Sequence, residues 1–235
     1  AIADGFAKLE WDRLAEELDA KGYSHLSGVL PNEYCEEFIG MYDRLDIYRK
    51  TVTMARHRFG LGEYKYFSYP LPEIVQTIRE VAYPKLAPVA NGWAERLKID
   101  VRYPPTFDRL QKLCRDAGQT KPTPLILKYG KGGFNTLHQD LYGEVYFPVQ
   151  IAFFLNEPGK DYTGGEFVMT EQVPRAQSKV IVLTPRKGDM IVFTTNFRPV
   201  KGTRGYYRAA MRHGVSEVRS GVRHTLGVIF HDAVS

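Results

Sequence analysis

Apolar positions recur at helical spacing through the first half of the chain and give way to short strand-like runs after about residue 122. Trp11, Leu14 and Leu18 in WDRLAEELDAKGY, Cys35, Phe38, Ile39 and Tyr42 in PNEYCEEFIGMYDRL, and Ile74, Ile78 and Val81 in LPEIVQTIREVAYPKL each fall on one face of a helix. Pro31 stands near one helix start, and Pro70 and Pro72 precede another. From residue 122 the runs PLILKYG, YFPVQIAFFLNEPG, GGEFVMT, KVIVLT, GDMIVFTT and VRHTLGVIFHD are β-branched and aromatic, bounded by Gly, Pro and Asn. Many short strands with regular turn signals predict a sandwich or barrel. The joining stretch RYPPTFDRLQKLCRDAGQTKPTP reads as a helix framed by prolines that packs on the β half. The fold class expected is α+β, with a helical N-terminal region over 1–121 packed against a β core over 122–235.

A chain of 235 residues is long enough for one domain with a buried core. Its 43% hydrophobic and 25% charged residues exclude a disordered or low-complexity protein, and no fixed-period repeat is present. Cys35 and Cys114 belong to no CxxC pair, so free thiols in a reducing compartment are expected and zinc-finger readings fall away. With no charged-then-apolar leader and no run of 18 apolar residues, a cytoplasmic location is expected.

Net charge is +5 but unevenly placed. Residues 175–223 hold eleven basic side chains against two acidic ones, Asp189 and Glu217. Such a stripe suits a polyanionic partner such as nucleic acid, or is a solvated face balanced elsewhere in the fold.

Candidate chemistry lies in YGKGGFNTLHQD, where His138 and Asp140 follow a glycine-rich turn. Two residues apart on a strand they share a face, so an imidazole and a carboxylate can converge. Alone this triplet is a weak signal. Among His25, His57, His213, His224 and His231, the best third ligand is His213, in a strand-turn-strand pattern that can return beside the pair. Two histidines and a carboxylate on one face form the facial triad of non-haem Fe(II) oxygenases, with open coordination positions, whereas zinc favours a fuller tetrahedral set. Ten residues on, Arg223 can pair with a carboxylate at the pocket floor and Thr225 can add a hydroxyl from the same strand face.

In their order, KYGKGGFNTLHQD, FFLNE, GGEF, KGDMIVF and RHGVSEVRSGVRHTLGVIFHD resemble the Fe(II)/2-oxoglutarate-dependent dioxygenase superfamily, and its prolyl-hydroxylase branch in particular, over about residues 122–232. EYKYFSYPLP, KPTPLILKYG, LHQDLYGE, DYTGGEFVMTEQVPRAQS and RGYYRAAMRHGVS extend the resemblance over almost the whole chain, to a bacterial oxygenase family described as oxidatively demethylating damaged nucleic acid. The resemblance implies a double-stranded β-helix (jelly roll) core. It implies iron held by His138, Asp140 and His213, with O2 and 2-oxoglutarate as cosubstrates. Arg223 and Thr225 would bind the distal carboxylate of 2-oxoglutarate, and Tyr129 would donate a hydrogen bond to it. Where many prolyl hydroxylases place a second cosubstrate-binding tyrosine, Phe153 stands here, unless that strand is aligned one step off.

A lid is expected over 54–70, where Arg56, Arg58 and Lys65 interleave with Phe59, Tyr64, Tyr66, Phe67 and Tyr69, a mixture suited to phosphates and bases. Substrate contacts are expected at Arg56, Arg58, Tyr64, Tyr66 and Tyr142, although aromatics of this kind also glue helices to a sheet. The expected activity is oxidative demethylation of alkylated nucleic acid. The alternatives are a protein side-chain hydroxylase, for which a basic groove would suit an acidic peptide, and a non-catalytic jelly-roll binding module.

Overall fold

The computed structural model describes Ile2–Ser235. Its helices are α1 (Ile2–Ala7), α2 (Trp11–Lys21), α3 (Asn32–Met41), α4 (Glu73–Arg96) and α5 (Phe107–Asp116). Pro31 and Pro72 are the N-cap residues of α3 and α4, where a missing N–H costs nothing. Gly22, in the left-handed region at φ 79°, ends α2 and donates its N–H to the Leu18 carbonyl. Although Pro84 and Pro88 each delete a hydrogen-bond donor inside α4, a buried stripe of Val75, Ile78, Ala82, Leu86, Ala90 and Trp93 carries the helix through them. No helix among the described residues is long and apolar enough to cross a membrane.

Between α2 and α4 the chain also forms β1 (Tyr23–Leu26), β2 (Tyr48–Thr53), β3 (Gly60–Leu61) and β4 (Glu63–Phe67). Much of the expected lid segment is therefore strand. Lys65 of β4 occupies a buried position, its ammonium donating to the Tyr42 carbonyl at 2.9 Å and lying 4.2 Å from the Tyr42 ring centroid.

The remaining strands are β5 (Leu125–Tyr129), β6 (Phe134–His138), β7 (Val149–Phe154), β8 (Tyr162–Gly164), β9 (Phe167–Gln172), β10 (Lys179–Leu183), β11 (Met190–Thr194), β12 (Phe197–Gly202), β13 (Gly205–Val215), β14 (Val218–Gly221) and β15 (Arg223–Val228). Seven strands form one antiparallel sheet in the order β1-β11-β7-β15-β5-β4-β2, and a second sheet runs β10-β9-β13-β6-β3, with β12 paired to β13. β8 and β14 make a separate ribbon. The architecture is α+β, two antiparallel sheets with helices against the larger one.

Strand alternation divides the interior. From the larger sheet Val149, Ile151, Phe153, Leu226 and Val228 share a cluster with the helices. Ala152, Phe154, Ile191 and Phe193 instead meet Phe167, Met169 and Met211 of the smaller sheet. Because β7 and β11 are buried on both faces, they read in the sequence as largely apolar runs, whereas β15, equally buried, carries Arg223, His224 and Thr225. The proline-framed helix α5 sends Phe107 and Leu110 into the first cluster, where Phe107 meets Tyr83 of α4 edge-on at 6.1 Å.

The C-terminal segment is locked down by polar contacts. Arg79, fully buried in α4, donates to Asp232 at 2.9 Å and to the Ile229 carbonyl, while Asp232 accepts from Tyr69. His231 Nδ1 accepts from the Phe147 N–H at 2.9 Å, so the HD pair at 231–232 is structural. Burial lowers His231 to about 3, and burial with the nearby Lys128 charge lowers His224 to about 4. In the unfolded chain both titrate near 6.5. Below that pH the unfolded state binds protons the native state refuses, so stability is full above about 6.5 and falls with pH down to the native values. Each histidine contributes a slope of about 1 kcal/mol per pH unit. The urea midpoint should therefore drop between pH 7 and pH 5; an equal midpoint at both would contradict the buried, neutral state of these rings.

Candidate metal centre and its pocket

His138 is the last residue of β6 and pairs in register with His213 of the neighbouring β13, so the two rings stand side by side with centroids 4.3 Å apart. Asp140 lies beyond the end of β6, and the turn rather than strand alternation returns its carboxylate to the same point. His138 Nε2 is 3.6 Å from Asp140 Oδ1, and His213 Nε2 is 3.1 Å from Asp140 Oδ2. The three ligand atoms all lie within 4.8 Å of one another.

The ring orientations suit metal binding. His138 Nδ1 lies 2.7 Å from the Thr136 carbonyl, which can only accept, so Nδ1 carries the proton and Nε2 presents a lone pair. His213 sits between Phe193, edge-on at 4.8 Å, and Phe167, stacked at 6.2 Å. Burial holds the pKa of His213 below the ordinary histidine value. Burial works against ionisation of Asp140, but the His213 hydrogen bond and the two imidazoles outweigh it and hold the carboxyl well below the usual range.

Asp140 is also gripped from behind. Tyr142 donates its hydroxyl to Oδ1 at 3.1 Å and Gln150 Nε2 donates to Oδ2 at 2.8 Å. The orientation of the Gln150 amide follows from chemistry, since a carboxylate offers no proton and only the NH2 end can face it. Burial, then the Asp140 charge, raises Tyr142 well above the usual tyrosine range, so its phenol keeps the proton that it donates. Tyr66 hydrogen-bonds the same hydroxyl at 3.2 Å.

Two imidazoles and one carboxylate, with no fourth His, Cys, Asp or Glu in the cluster among the described residues, fit a ferrous ion in a facial site. They open into a cavity of about 250 Å³. At its floor Arg223 of β15 is 2% exposed, yet forms no ion pair among the described residues. Its Nη1 donates to Thr225 Oγ1 at 2.8 Å, its Nε is buried without a partner, and its guanidinium lies 5.4–6.0 Å from the rings of Phe154, Tyr129 and Tyr162. A buried cation lacking an ion-pair partner is costly, and a negative group entering the cavity would offset that cost. Tyr129, opposite Arg223 in register and fully buried, accepts from Asn135 Nδ2 at 3.1 Å. Burial pushes its phenol up to about 12.

Tyr64, Tyr66 and Tyr142 line the cavity with Tyr129, Arg223 and Thr225. Arg56 and Arg58 do not. They are exposed on the short 3-10 turn over Met54–His57 and its left-handed cap, Arg58 at φ 59°. The same turn presents Phe59, 46% exposed, stacked on His57 at 5.2 Å. It is sewn to the site by Gly60 and Gly62, where a Cβ would strike the Phe134 carbonyl oxygen at 2.2 Å and the Tyr129 ring at 2.7 Å.

Phe153 stands outside the cavity. On β7 the inward side belongs to Gln150, Ala152 and Phe154, whereas Phe153 packs on Phe6 at 5.8 Å among the helices. One residue of register separates the two faces, and Phe154 is the neighbour of Arg223. Sequence reasoning missed Gln150, Asn135 and Tyr162. A lone glutamine inside the apolar run VQIAFF was the available signal for the first.

Comparison with known proteins places these features in a family. A family model described as "Oxygenase, catalysing oxidative methylation of damaged DNA" matches residues 62–233. Two uncharacterized proteins from Mycobacterium tuberculosis strains are each 46% identical over 167 residues, 71% of this chain and 72% of theirs. Among solved structures, a prolyl-4-hydroxylase from Pseudomonas putida aligns with TM-score 0.57 at 15% identity, covering 94% of this chain and 98% of that one. A prolyl hydroxylase from Trichoplax adhaerens, in complex with a hypoxia inducible factor peptide fragment, gives 0.61 at 14%, with 97% and 91% covered. A 2OG-Fe(II) oxygenase family oxidoreductase from Burkholderia pseudomallei gives 0.56 at 16%, with 97% and 95% covered.

Proposed function

Because this chain belongs to the oxygenase family whose model spans residues 62–233, and has the fold of the 2-oxoglutarate-Fe(II) oxygenases, we propose that it oxidises N-methyl groups of alkylated, single-stranded nucleic acid. The observation that carries the cosubstrate half of this reading is Arg223, a buried cation with no anionic partner, in the same cavity as His138, Asp140 and His213. A dicarboxylate with a keto acid at one end can bridge such a pair of sites.

When bound, Fe(II) and 2-oxoglutarate supply with O2 an oxidant for a C–H bond, 2-oxoglutarate ending as succinate and carbon dioxide. The protein's residues bind and orient. His138, Asp140 and His213 hold the metal on one side; Arg223 and Thr225 hold the distal carboxylate, and Tyr129 donates to the cosubstrate. Leu127, Ile151 and Ile229 wall the cavity against water. Hydroxylation of an N-methyl group gives a hydroxymethyl amine that releases formaldehyde. The rim favours a base as the group presented. Phe59 offers an exposed stacking face, the flanking Arg56 and Arg58 offer phosphate contacts, and residues 56–59 of the expected lid thus form the substrate-facing edge.

Turnover on N-methylated single-stranded oligonucleotides and on proline-containing peptides, side by side, tests the substrate. Formaldehyde matching succinate, dependent on Fe(II) and O2, is expected from the oligonucleotides. A gain of one oxygen on a peptide, with no formaldehyde, would establish a protein hydroxylase instead.

The contacts behind Asp140 make a separate prediction. Tyr142→Phe and Gln150→Met each remove one donor while keeping volume, and each should weaken Mn(II) binding by about 10- to 100-fold. Unchanged affinity in both would show that the carboxylate needs no support.

A further inference from the structure

The basic stripe over 175–223 does not survive folding as one surface. Arg186 pairs with Glu157, Lys187 with Glu36, Arg198 with Glu171 and Arg219 with Glu166, while Arg223 lies in the cavity. Arg175, Lys179, Lys201, Arg204, Arg208 and Arg212 remain, all exposed and none ion-paired within the described residues.

Register shows where most of these lie. β12 and β13 pair Lys201 with Tyr206, Pro199 with Arg208 and Phe197 with Ala210. Directly paired residues share a face, and alternate residues of a strand do too. Tyr206, Arg208, Ala210 and Arg212 therefore line one side of β13, with Lys201 and Phe197 beside them, while Ala209, Met211 and His213 line the other, toward the metal cluster. The outer row continues onto β9, where Gln172 and Thr170 stand opposite Ala210 and Arg212. No acid occurs along it. The Arg208 guanidinium lies over the Phe197 ring at 4.7 Å, Arg96 of α4 lies over the Tyr206 ring at 5.8 Å, and Tyr206 is 43% exposed. Arg204 crowns the hairpin tip.

We infer that this outer face of the β12–β13 hairpin is a second binding surface, which carries the phosphate backbone of a single-stranded nucleic acid to the pocket mouth. The inference rests on the nucleic-acid reading of the site. Arg208 and Arg212 lie about 13 Å apart along β13, and Lys201 of β12 stands level with Tyr206, about 7 Å before Arg208, a line that a stretched phosphodiester chain can follow. The interleaved rings give bases something to stack on, which an acidic peptide would not use. The line also leads to the right place. Gln139, between two of the proposed metal ligands, donates to the Asn196 carbonyl at 2.7 Å and the Met211 carbonyl at 3.1 Å, joining the mouth to the root of the hairpin.

The test is binding of an unmethylated single-stranded 12-mer over a range of salt, to the wild type and to the K201E/R204E/R208E and K201Q/R204Q/R208Q variants. Mn(II) binding at the pocket reports that each variant is folded. Wild type should bind with steep salt dependence. Losing three phosphate contacts should flatten the slope of log K against log salt by about two and weaken binding about 10- to 100-fold. Equal affinity and slope in wild type and both folded variants would overturn the surface, even if methylated oligonucleotides are turned over. Absent oligonucleotide binding, or variant-sensitive binding of a poly-glutamate peptide or anionic vesicles in its place, would overturn it as well. Should wild type bind the 12-mer through these residues yet release no formaldehyde from any methylated strand, the surface would stand and the demethylation reading would fall.

Discussion

Replacing His138 with alanine should abolish metal binding and turnover together while leaving the fold almost untouched. The side chain is 32% exposed, and its only hydrogen bond beyond the cluster is to the Thr136 carbonyl, so little packing is lost. What is lost is one of three metal ligands. Removing an outer contact to a metal site typically costs about 10- to 100-fold in affinity, and deleting a ligand itself should exceed that. Metal content should fall from one per chain to background, and succinate formation with it. Turnover retained at more than about a tenth of wild type would place the iron elsewhere.

Arg223→Met should act in two opposite directions. An unpaired buried guanidinium is an energetic burden in the ligand-free protein, so a methionine of similar length should leave the apo protein as stable or raise its melting temperature. Cosubstrate binding should move the other way. Losing one partner of a buried, hydrogen-bonded charge pair costs about 2–5 kcal/mol, or about 30- to 4000-fold in 2-oxoglutarate affinity. The thermal upshift that 2-oxoglutarate gives the wild type should disappear at the same concentration. Destabilised apo protein with unchanged 2-oxoglutarate affinity would make Arg223 a structural residue and remove the main support for the cosubstrate assignment.

Much of this site is legible before folding because its chemistry is concentrated in rare residue types. A histidine and aspartate two apart, a distal histidine and an arginine ten residues beyond it restrict the possibilities strongly, and the structure brings His138, Asp140 and His213 within 4.8 Å. What stays hidden is whatever depends on facing. Phe153 and Phe154 are indistinguishable in sequence, yet one step of register puts the first among the helices and the second beside Arg223. Gln150 looks like an ordinary polar residue until β7 turns it toward Asp140. Strand β4 alternates polar and apolar residues in EYKYF, yet its Lys65, polar in sequence, is buried through its contacts with Tyr42. The basic run misleads in the opposite way, since four of its eleven cations are neutralised by acids from outside the run.

Crystals grown with Mn(II) and 2-oxoglutarate, with the metal located by its anomalous scattering, would test the assignment most directly. The expected map has one peak per chain, touching Nε2 of His138, a carboxylate oxygen of Asp140 and Nε2 of His213, with a dicarboxylate running from the metal to Arg223. A peak elsewhere, or a His213 ring turned away from the ion, would contradict it.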